Sequence, residues 1–372
     1  MHPILLTGAY DWDADALPAA EFEERVAEVR RLMDRQGWGA LLASASGDDF
    51  GALGYLTNFA PKVGRAYGFV ARNGPVRLLA GVDSRMLPAA KALTWVAEPQ
   101  PGRDLAATLP KWLDEDKVTG PVAVAGFAKL PSPMFRALSE ALGARGAPVD
   151  ADPALYALRA VKRPREVALI ERSAAILDAA IKEIGARAKS GAAVVEAVLA
   201  GERAARAGDA QDVRTLFSFD GGRTLVPYEE QSDSRSDPLV AYLALQYRGY
   251  WTDGFATFAS ARSAAIDRAR RALDRGIAAM RPGADAASVF RAVAEEIGPS
   301  ALHPMCRTSV GYGIGLTAEE PPALAPNGAA KLAEGIVCSV RAGVGDARDG
   351  HAIVSALLRI GAGGPETLWR AS

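Results

Sequence analysis

Histidine and cysteine are scarce in this chain, whose 372 residues include three histidines and two cysteines. The cysteines, Cys306 and Cys338, are too few and too far apart to form a disulfide framework, so a reducing cytoplasm is the expected location. The histidines are His2, His303 and His351. Any site that uses an imidazole has to take it from these three positions.

An excess of charge and long apolar runs are also lacking. Lys and Arg together number 43 and Asp and Glu 44, which gives a net charge of −1. A protein that binds nucleic acid usually carries a basic excess or stripe, so nucleic acid is not an expected partner. No run of roughly 18 apolar residues is present, so no membrane span is expected. The first residues lack a basic segment followed by an apolar core, and a secretory signal is therefore not expected either.

The composition is typical of a globular protein, with 49% hydrophobic and 23% charged residues, and the length suits two domains. The first part of the chain alternates between helix and strand periodicity, and Asn73-Gly74 predicts a hairpin. We expect helices over 21–36, 104–113 and 132–142, and strands over 39–45, 69–72, 76–80 and 122–125. These elements predict an α/β domain over residues 1–157.

A second domain is expected over residues 158–372, and it opens with a helix at Pro164, because proline suits a first helical turn. After helices at 164–181 and 193–207, we expect a hairpin of 214–219 with 224 onward, a strand pair at 239–246 and 249–258, helices at 266–280 and 286–296, and strands at 335–341 and 352–360. The repeated order of two helices and then strands indicates an internal duplication, an α+β sandwich built on one curved sheet.

Six short motifs occur in the order that is found in the creatinase, prolidase and aminopeptidase P superfamily. They are Tyr55-Leu56-Thr57-Asn58-Phe59, the segments 158–166 and 247–253, Arg281-Pro282-Gly283, Gly313-Ile314-Gly315-Leu316 and Glu320-Pro321-Pro322. The chain resembles that superfamily along nearly its whole length. The resemblance implies an α+β protein, with a creatinase-like N-terminal α/β domain followed by a C-terminal pita-bread domain.

The same resemblance implies where a metal centre would lie, and this chain departs from it. Metallopeptidases of the superfamily hold two divalent ions with two Asp, one His and two Glu. The matching positions in this chain are, in order, Tyr242, Asp253, Tyr312, Arg341 and Ser355. One carboxylate remains, and a guanidinium repels cations and does not deprotonate. We therefore expect neither a metal nor another cofactor.

We expect Asp253 and Arg341 to form a buried ion pair at the base of the cleft in the C-terminal domain, because their family counterparts bind the same pair of ions. The charge of Arg341 would replace the charge of the metals, while Tyr242 and Tyr312 would fill the vacated volume. The remaining N–H groups of Arg341 would then bind the carboxylate of a ligand or merely close the old cavity.

The catalytic candidates are Asp253 and Glu319, and Glu319 takes the place of a family histidine and would act as a general base. A charge on the rim of the cleft is the alternative interpretation of Glu319. Tyr228 lies near the position of the creatinase histidine, and we expect His303 and Glu320 beside the pocket. For His303, a surface position or a satisfied core histidine is the alternative.

Residues 310–315 resemble the ectoine hydrolase-like branch, which also lacks the metal ligands. Three functions stay open: a metal-independent hydrolase of a C–N bond in a small amino-acid-derived compound, a catalytically inactive protein that binds a small molecule, and a metallopeptidase with an unrecognised ligand set. In the second, Arg341 would clamp a carboxylate. The resemblance also implies a homodimer, in which a loop with Phe59, Lys62 and Arg65 reaches over the pocket of the other subunit.

Overall fold

Residues 11–227 and 234–371 are described by the structure, a computed structural model, and the chain divides into two compact units. The first unit ends at Arg159 and the second begins at Ala160. Within the described ranges, no helix combines the length and the apolar composition that crossing a membrane requires.

The first unit is built around a mixed five-stranded sheet. Its elements are α1 (Ala19–Gln36), β1 (Ala40–Ser46), α2 (Gly51–Thr57), β2 (Arg65–Ala71), β3 (Arg77–Leu79), α3 (Leu87–Lys91), α4 (Leu105–Glu115), β4 (Val122–Ala125), α5 (Ser132–Leu142), β5 (Val149–Asp150) and α6 (Asp152–Ala160). The strand order is β3-β2-β1-β4-β5. The hairpin predicted at Asn73-Gly74 joins β2 to β3, and Gly74 has a φ of 101°, which glycine adopts without steric cost.

The core of the first unit brings this sheet together with helices α4 and α5. Leu42, Phe69 and Val124 of the strands are fully buried, and Leu109 and Trp112 of α4 belong to the same apolar cluster. The ring centroids of Phe69 and Trp112 are 5.6 Å apart. Full burial of one large apolar side chain contributes about 1.5–3 kcal/mol, so this unit has a core of its own.

The second unit repeats a pattern of two helices followed by strands, as predicted. Its elements are α7 (Pro164–Lys189), α8 (Val194–Ala207), β6 (Asp212–Phe217), β7 (Leu239–Tyr247), β8 (Tyr250–Phe258), α9 (Ala264–Ala279), α10 (Ala286–Ile297), β9 (Gly311–Gly313), β10 (Glu320–Ala323), β11 (Val337–Asp346), β12 (Gly350–Gly361) and β13 (Gly364–Arg370). Helices α7 and α8 pack together and contact β7, while α9 and α10 pack together and contact β11.

Two sheets with separate backbone ladders replace the single curved sheet that the sequence suggested. Their strand orders are β6-β7-β8 and β10-β9-β11-β12-β13. Between β8 and β12, side-chain hydroxyls take the place of backbone pairing. Thr257 Oγ1 donates to the Ile353 carbonyl at 2.7 Å and accepts from its N–H at 2.9 Å. Since buried backbone groups need partners, such hydroxyls join strands that do not pair directly.

The hairpin predicted from 214–219 to 224 onward forms its turn and one antiparallel bridge in the described residues, and the rest of its predicted second strand lies outside them. Asp220 Oδ1 accepts from the N–H groups of Arg223 and Thr224, both at 3.0 Å. Up to residue 227, where the described range ends, an isolated bridge joins Phe217 to Val226. Strand β6 pairs with the long β7 over its whole length, because that partner offers a continuous ladder of backbone hydrogen bonds.

Candidate functional site

A buried carboxylate, Asp253 on β8, is the centre of a cluster of polar side chains. Asp253 is 1% exposed. The hydroxyl of Tyr242 on β7 donates to Asp253 Oδ2 at 3.1 Å, and the hydroxyl of Tyr312 on β9 donates to the same oxygen at 2.5 Å. The other oxygen, Oδ1, is buried and has no hydrogen-bond partner among the described residues. Three of the positions singled out in the sequence therefore converge.

Strand register explains why Tyr242 and Asp253 meet. Side chains alternate between the two faces of a strand, and residues directly opposite each other in an antiparallel pair share a face. Tyr242 lies opposite Phe255 in the β7–β8 ladder. Asp253 is two residues before Phe255, so Tyr242, Asp253 and Phe255 all project from the same face.

Strand β11 brings two more side chains to the cluster. Ser339 lies opposite Tyr312 of β9, and Arg341 lies opposite Ser355 of β12. Because positions 339 and 341 are two residues apart, both side chains project from the same face of β11. Ser355 is fully buried, and its Oγ accepts from the N–H of Phe255 at 2.7 Å. Its hydroxyl therefore ties β12 to β8.

Burial dominates the electrostatics of this cluster. It raises the pKa of the Asp253 carboxyl above its ordinary value of 3.8, while the Ser339 and Tyr312 hydroxyls and the charge of Arg341 act in the opposite direction. Ser339 nevertheless makes no hydrogen bond of normal geometry to Oδ1. Burial, and then the negative charge of Asp253, raise the pKa values of Tyr242 and Tyr312. Both phenols therefore stay protonated and donate to the carboxylate.

The ion pair expected between Asp253 and Arg341 is not formed. Arg341 Nε donates to the carbonyl of Met305 at 3.2 Å, and Nη2 donates to the carbonyl of Ser309 at 3.3 Å. The expectation was wrong because the guanidinium of Arg341 donates to these two backbone carbonyls and not to the Asp253 carboxylate. A guanidinium has five N–H donors, so these two bonds leave others for a further partner.

Aromatic rings also hold the Arg341 guanidinium in place. Its central carbon lies 5.6 Å from the ring centroid of Phe255 and 5.3 Å from that of Tyr312, and each such contact contributes about 0.5–2 kcal/mol. Burial opposes the charge, but the pKa of Arg341 is raised overall, and the nearby Asp253 carboxylate acts in that direction. A permanent cation is therefore fixed beside the carboxylate without touching it.

Glu320 forms a buried ion pair with Lys162 instead of serving as a free base. Lys162 Nζ lies 2.9 Å from Glu320 Oε2, and the two side chains are 3% and 1% exposed. Glu320 Oε1 accepts from the N–H of Thr317 at 3.0 Å. Removing one partner of a buried pair costs about 3–5 kcal/mol, so this pair fixes the segment that precedes β10.

His303 is a buried histidine that binds backbone groups. Its Nε2 lies 2.9 Å from the carbonyl of Gly222, and its Nδ1 accepts from the N–H of Met305 at 3.2 Å. An accepting Nδ1 requires the neutral ring with the proton on Nε2, and burial first of all lowers the pKa of His303. The carbonyl of Met305 accepts from Arg341. His303 therefore helps to fix the residue that holds the guanidinium in place.

The remaining predicted residues form no hydrogen bond with Asp253 or Arg341 where the structure describes them. Glu319 is exposed and makes no hydrogen bond or ion pair to a described residue. Tyr228 lies outside the described residues. In the first unit, Phe59 is buried and Lys62 is half-buried. Arg65 donates to Ser44 Oγ at 3.0 Å and to the carbonyl of Lys129 at 2.7 Å, so its guanidinium is held within its own unit.

Sequence reasoning missed the groups that surround Arg341. Ser339 was predictable, because it lies two residues before Arg341 on a strand and must share its face. Phe255 was predictable in the same way from Asp253. The carbonyls of Met305 and Ser309 left no signal, since every residue carries a carbonyl and only the folded loop aims these two.

Side chains that bind metals do not gather in the described part of the chain. Among residues 11–227 and 234–371, no group of three or more His, Cys, Asp or Glu side chains is placed to hold a metal ion. The Asp253 cluster offers one carboxylate, two phenols, two serine hydroxyls and a guanidinium.

Comparison with known proteins places this chain in a family. The model of Metallopeptidase family M24 matches residues 168–362, which is more than half of the chain. The chain therefore belongs to metallopeptidase family M24. No curated protein sequence gives a match.

Solved structures of M24-like enzymes share the fold over nearly the whole chain. The X-Pro aminopeptidase from Thermotoga maritima MSB8 superposes with a TM-score of 0.77 at 19% identity, covering 92% of this chain and 97% of that one. For the prolidase from Pyrococcus horikoshii OT3, the TM-score is 0.76 at 16% identity, with coverages of 94% and 99%. Dipeptidase PepE from Mycobacterium ulcerans gives 0.74 at 18% identity, covering 98% of both chains. These similarities establish the pita-bread fold, and the likeness to the ectoine hydrolase-like branch stays a prediction.

The raised pKa of Asp253 predicts a specific dependence of stability on pH. A carboxyl whose pKa is higher in the folded than in the unfolded chain binds its proton more tightly when folded, so its ionisation lowers stability. The unfolding free energy of wild type, minus that of Asp253→Asn, should therefore fall as the pH rises above the ordinary value of 3.8. Urea unfolding between about pH 2.5 and pH 8 measures it.

Asp346→Asn is the matched control, because hydrogen bonding, first from the Asp349 N–H, lowers the pKa of Asp346. The stability of wild type relative to Asp346→Asn should stay constant above about pH 5 and be lost as the pH falls below the ordinary value of 3.8. A difference for Asp253→Asn that grows with pH would contradict this description of the cluster.

Proposed function

We propose that this chain is an M24 protein that has lost the two-metal centre and binds a small acid through Arg341, without peptidase chemistry. The observation that supports it best is the guanidinium of Arg341, fixed by two backbone carbonyls beside the Asp253 cluster. Arginine in a partly buried site is suited to bind a carboxylate with paired, charge-assisted hydrogen bonds.

The side chains of the cluster do not fit the metal centre of the family. Hard divalent ions are held by carboxylates and imidazoles, whereas Tyr242 and Tyr312 are phenols that burial keeps protonated. The single unpartnered oxygen, Asp253 Oδ1, lies in the field of a guanidinium that repels a cation. No residue of the cluster other than Asp253 offers an anionic ligand, so a metallopeptidase with an unrecognised ligand set has no support within the described residues.

A metal-independent hydrolase of a C–N bond in a small amino-acid-derived compound is the second candidate. Asp253 favours this candidate, because its carboxyl has a raised pKa and one oxygen without a partner among the described residues. Residues that transfer protons in enzymes often have such properties. Against it, both tyrosine hydroxyls bind the other oxygen, and Glu320 is already paired with Lys162. The binding protein is therefore the function that we favour.

Purified protein should contain no stoichiometric divalent metal at this site after dialysis against manganese or zinc, because four of the five family ligand positions offer no metal-binding carboxylate or imidazole. Elemental analysis of wild type and of Asp253→Asn checks this, since adventitious metal is the same in both. Two ions per chain that disappear in Asp253→Asn, together with chelator-sensitive cleavage of Xaa-Pro dipeptides, would overturn the proposal.

Arg341→Met should weaken the binding of small amino-acid-derived carboxylates about tenfold or more, because a charge-assisted hydrogen bond is lost. Arg341→Lys keeps the charge but not the planar donors and should bind with intermediate affinity. Calorimetric titration measures these affinities, and Arg348→Met, at a position that is 94% exposed, is the control for lost charge. Unchanged affinity in Arg341→Met refutes the clamp, and product formation that Asp253→Asn abolishes would favour the hydrolase.

A homodimer is the expected assembly, and we propose the groove beside the Phe59–Arg65 loop as its contact. Most of the side chains that line this groove are apolar, although Lys62, Asp83 and Arg103 also line it. Two of the apolar ones, Val63 and Met86, are 42% and 41% exposed. Neighbouring exposed apolar side chains favour association. Light scattering should give twice the chain mass for wild type and a monomer for Val63→Asp combined with Met86→Asp. Val149→Asp, an exposed valine on β5, should stay dimeric, and a monomeric wild type would refute the assembly.

A further inference from the structure

Two groups of opposite chemistry in the Asp253 cluster do not pair with each other. Asp253 Oδ1 is a buried acceptor without a donor among the described residues. Arg341 donates through Nε and Nη2 to carbonyls and also hydrogen-bonds the weakly accepting Cys306 thiol, but no described carboxylate accepts from it. The carboxylate needs a donor and the guanidinium has donors to give, yet the two do not pair.

The structure prevents them from satisfying each other. The guanidinium is fixed by the carbonyls of Met305 and Ser309 and lies over two aromatic rings. On the other side, the hydroxyls of Tyr242 and Tyr312 hold Asp253 by Oδ2. A molecule that bridges this acceptor and this donor has to carry a positive donor at one end and a carboxylate at the other.

We infer that the ligand is a small zwitterionic α-amino or α-imino acid, with its ammonium group on Asp253 Oδ1 and its carboxylate on the Arg341 guanidinium. The inference rests on the proposed function and adds the amine to it. Each phenol that donates to Oδ2 keeps lone pairs that can accept from the ammonium group. Bound in this way, the charges of protein and ligand alternate, so every buried charge gains a partner.

The rings beside these two groups indicate a small apolar side chain on the ligand. Phe255 shares its strand face with Asp253, and its ring centroid is 4.5 Å from that of Tyr242. Phe255 also lies under the guanidinium of Arg341. Both charged ends of the ligand are thus next to aromatic surface, which favours an apolar side chain over a charged one.

The test compares free amino acids with forms that lack one charge. Calorimetric titration of the full chain uses proline, N-acetylproline and proline amide, and the same series for alanine and valine. We expect a free acid to bind and each capped form to bind about tenfold or more weakly, because either cap removes one charge-assisted hydrogen bond.

Two variants assign each end of the ligand to its residue. Asp253→Asn is nearly isosteric and should reduce the affinity for the free acid to that of the N-acetyl form, while the affinity for the N-acetyl form stays unchanged. Arg341→Met should reduce the affinity for the free acid to that of the amide form, while the affinity for the amide form stays unchanged. A general loss of folding would weaken all three ligands together, so this selectivity separates recognition from stability, and Arg348→Met should match wild type throughout.

The outcomes distinguish this inference from the proposed function on which it rests. N-acetyl acids that bind as tightly as free acids would overturn the amine contact and leave the acid clamp standing. Free-acid binding that is unchanged in Asp253→Asn would also overturn it. If neither free nor capped acids bind to wild type, both the inference and the acid-binding function are refuted.

Discussion

Burial of the Asp253 carboxylate determines the role of the side chains around it. An ionised carboxylate with 1% of its surface exposed is stable only where hydrogen bonds and positive charge replace water. Tyr242 of β7 and Tyr312 of β9 supply the hydrogen bonds to Oδ2, and Arg341 of β11 supplies a nearby charge. Since a slip of one residue would turn any of these side chains to the other face of its strand, the carboxylate ties the register of three strands to one point.

Groups outside the cluster determine where its cation lies. His303 accepts the N–H of Met305, whose carbonyl accepts from Arg341, so a neutral histidine fixes the position of a charged side chain that it does not touch. The buried pair of Lys162 and Glu320 acts similarly on the segment that leads into β10, and β10 pairs with the strand that carries Tyr312. These contacts organise the site before any ligand binds, which lowers the entropic cost of binding.

The long helices and the strands β7, β8, β11 and β12 were predictable, because their apolar periodicity extends over many residues. The convergence of Tyr242, Asp253 and Tyr312 followed from the family resemblance, which carries the strand topology with it. The prediction of an ion pair between Asp253 and Arg341 was wrong. Two neighbouring backbone positions do not determine whether an arginine donates to a carboxylate or to nearby carbonyls. Strand β13 was missed, since Gly364–Arg370 shows little alternation of apolar and polar residues.

The pita-bread fold positions side chains by its backbone ladders and helix packing, and in this chain Ser355 and Thr257 hydroxyls also join its two sheets. Apart from the Ser355 hydroxyl, these interactions do not depend on which groups occupy the five family ligand positions. The fold can therefore stay the same while the chemistry of the site changes, which is why family membership alone does not establish peptidase activity. What the fold does determine is where a ligand meets the protein. The fixed guanidinium and the unpartnered carboxylate oxygen then decide which charges that ligand has to carry.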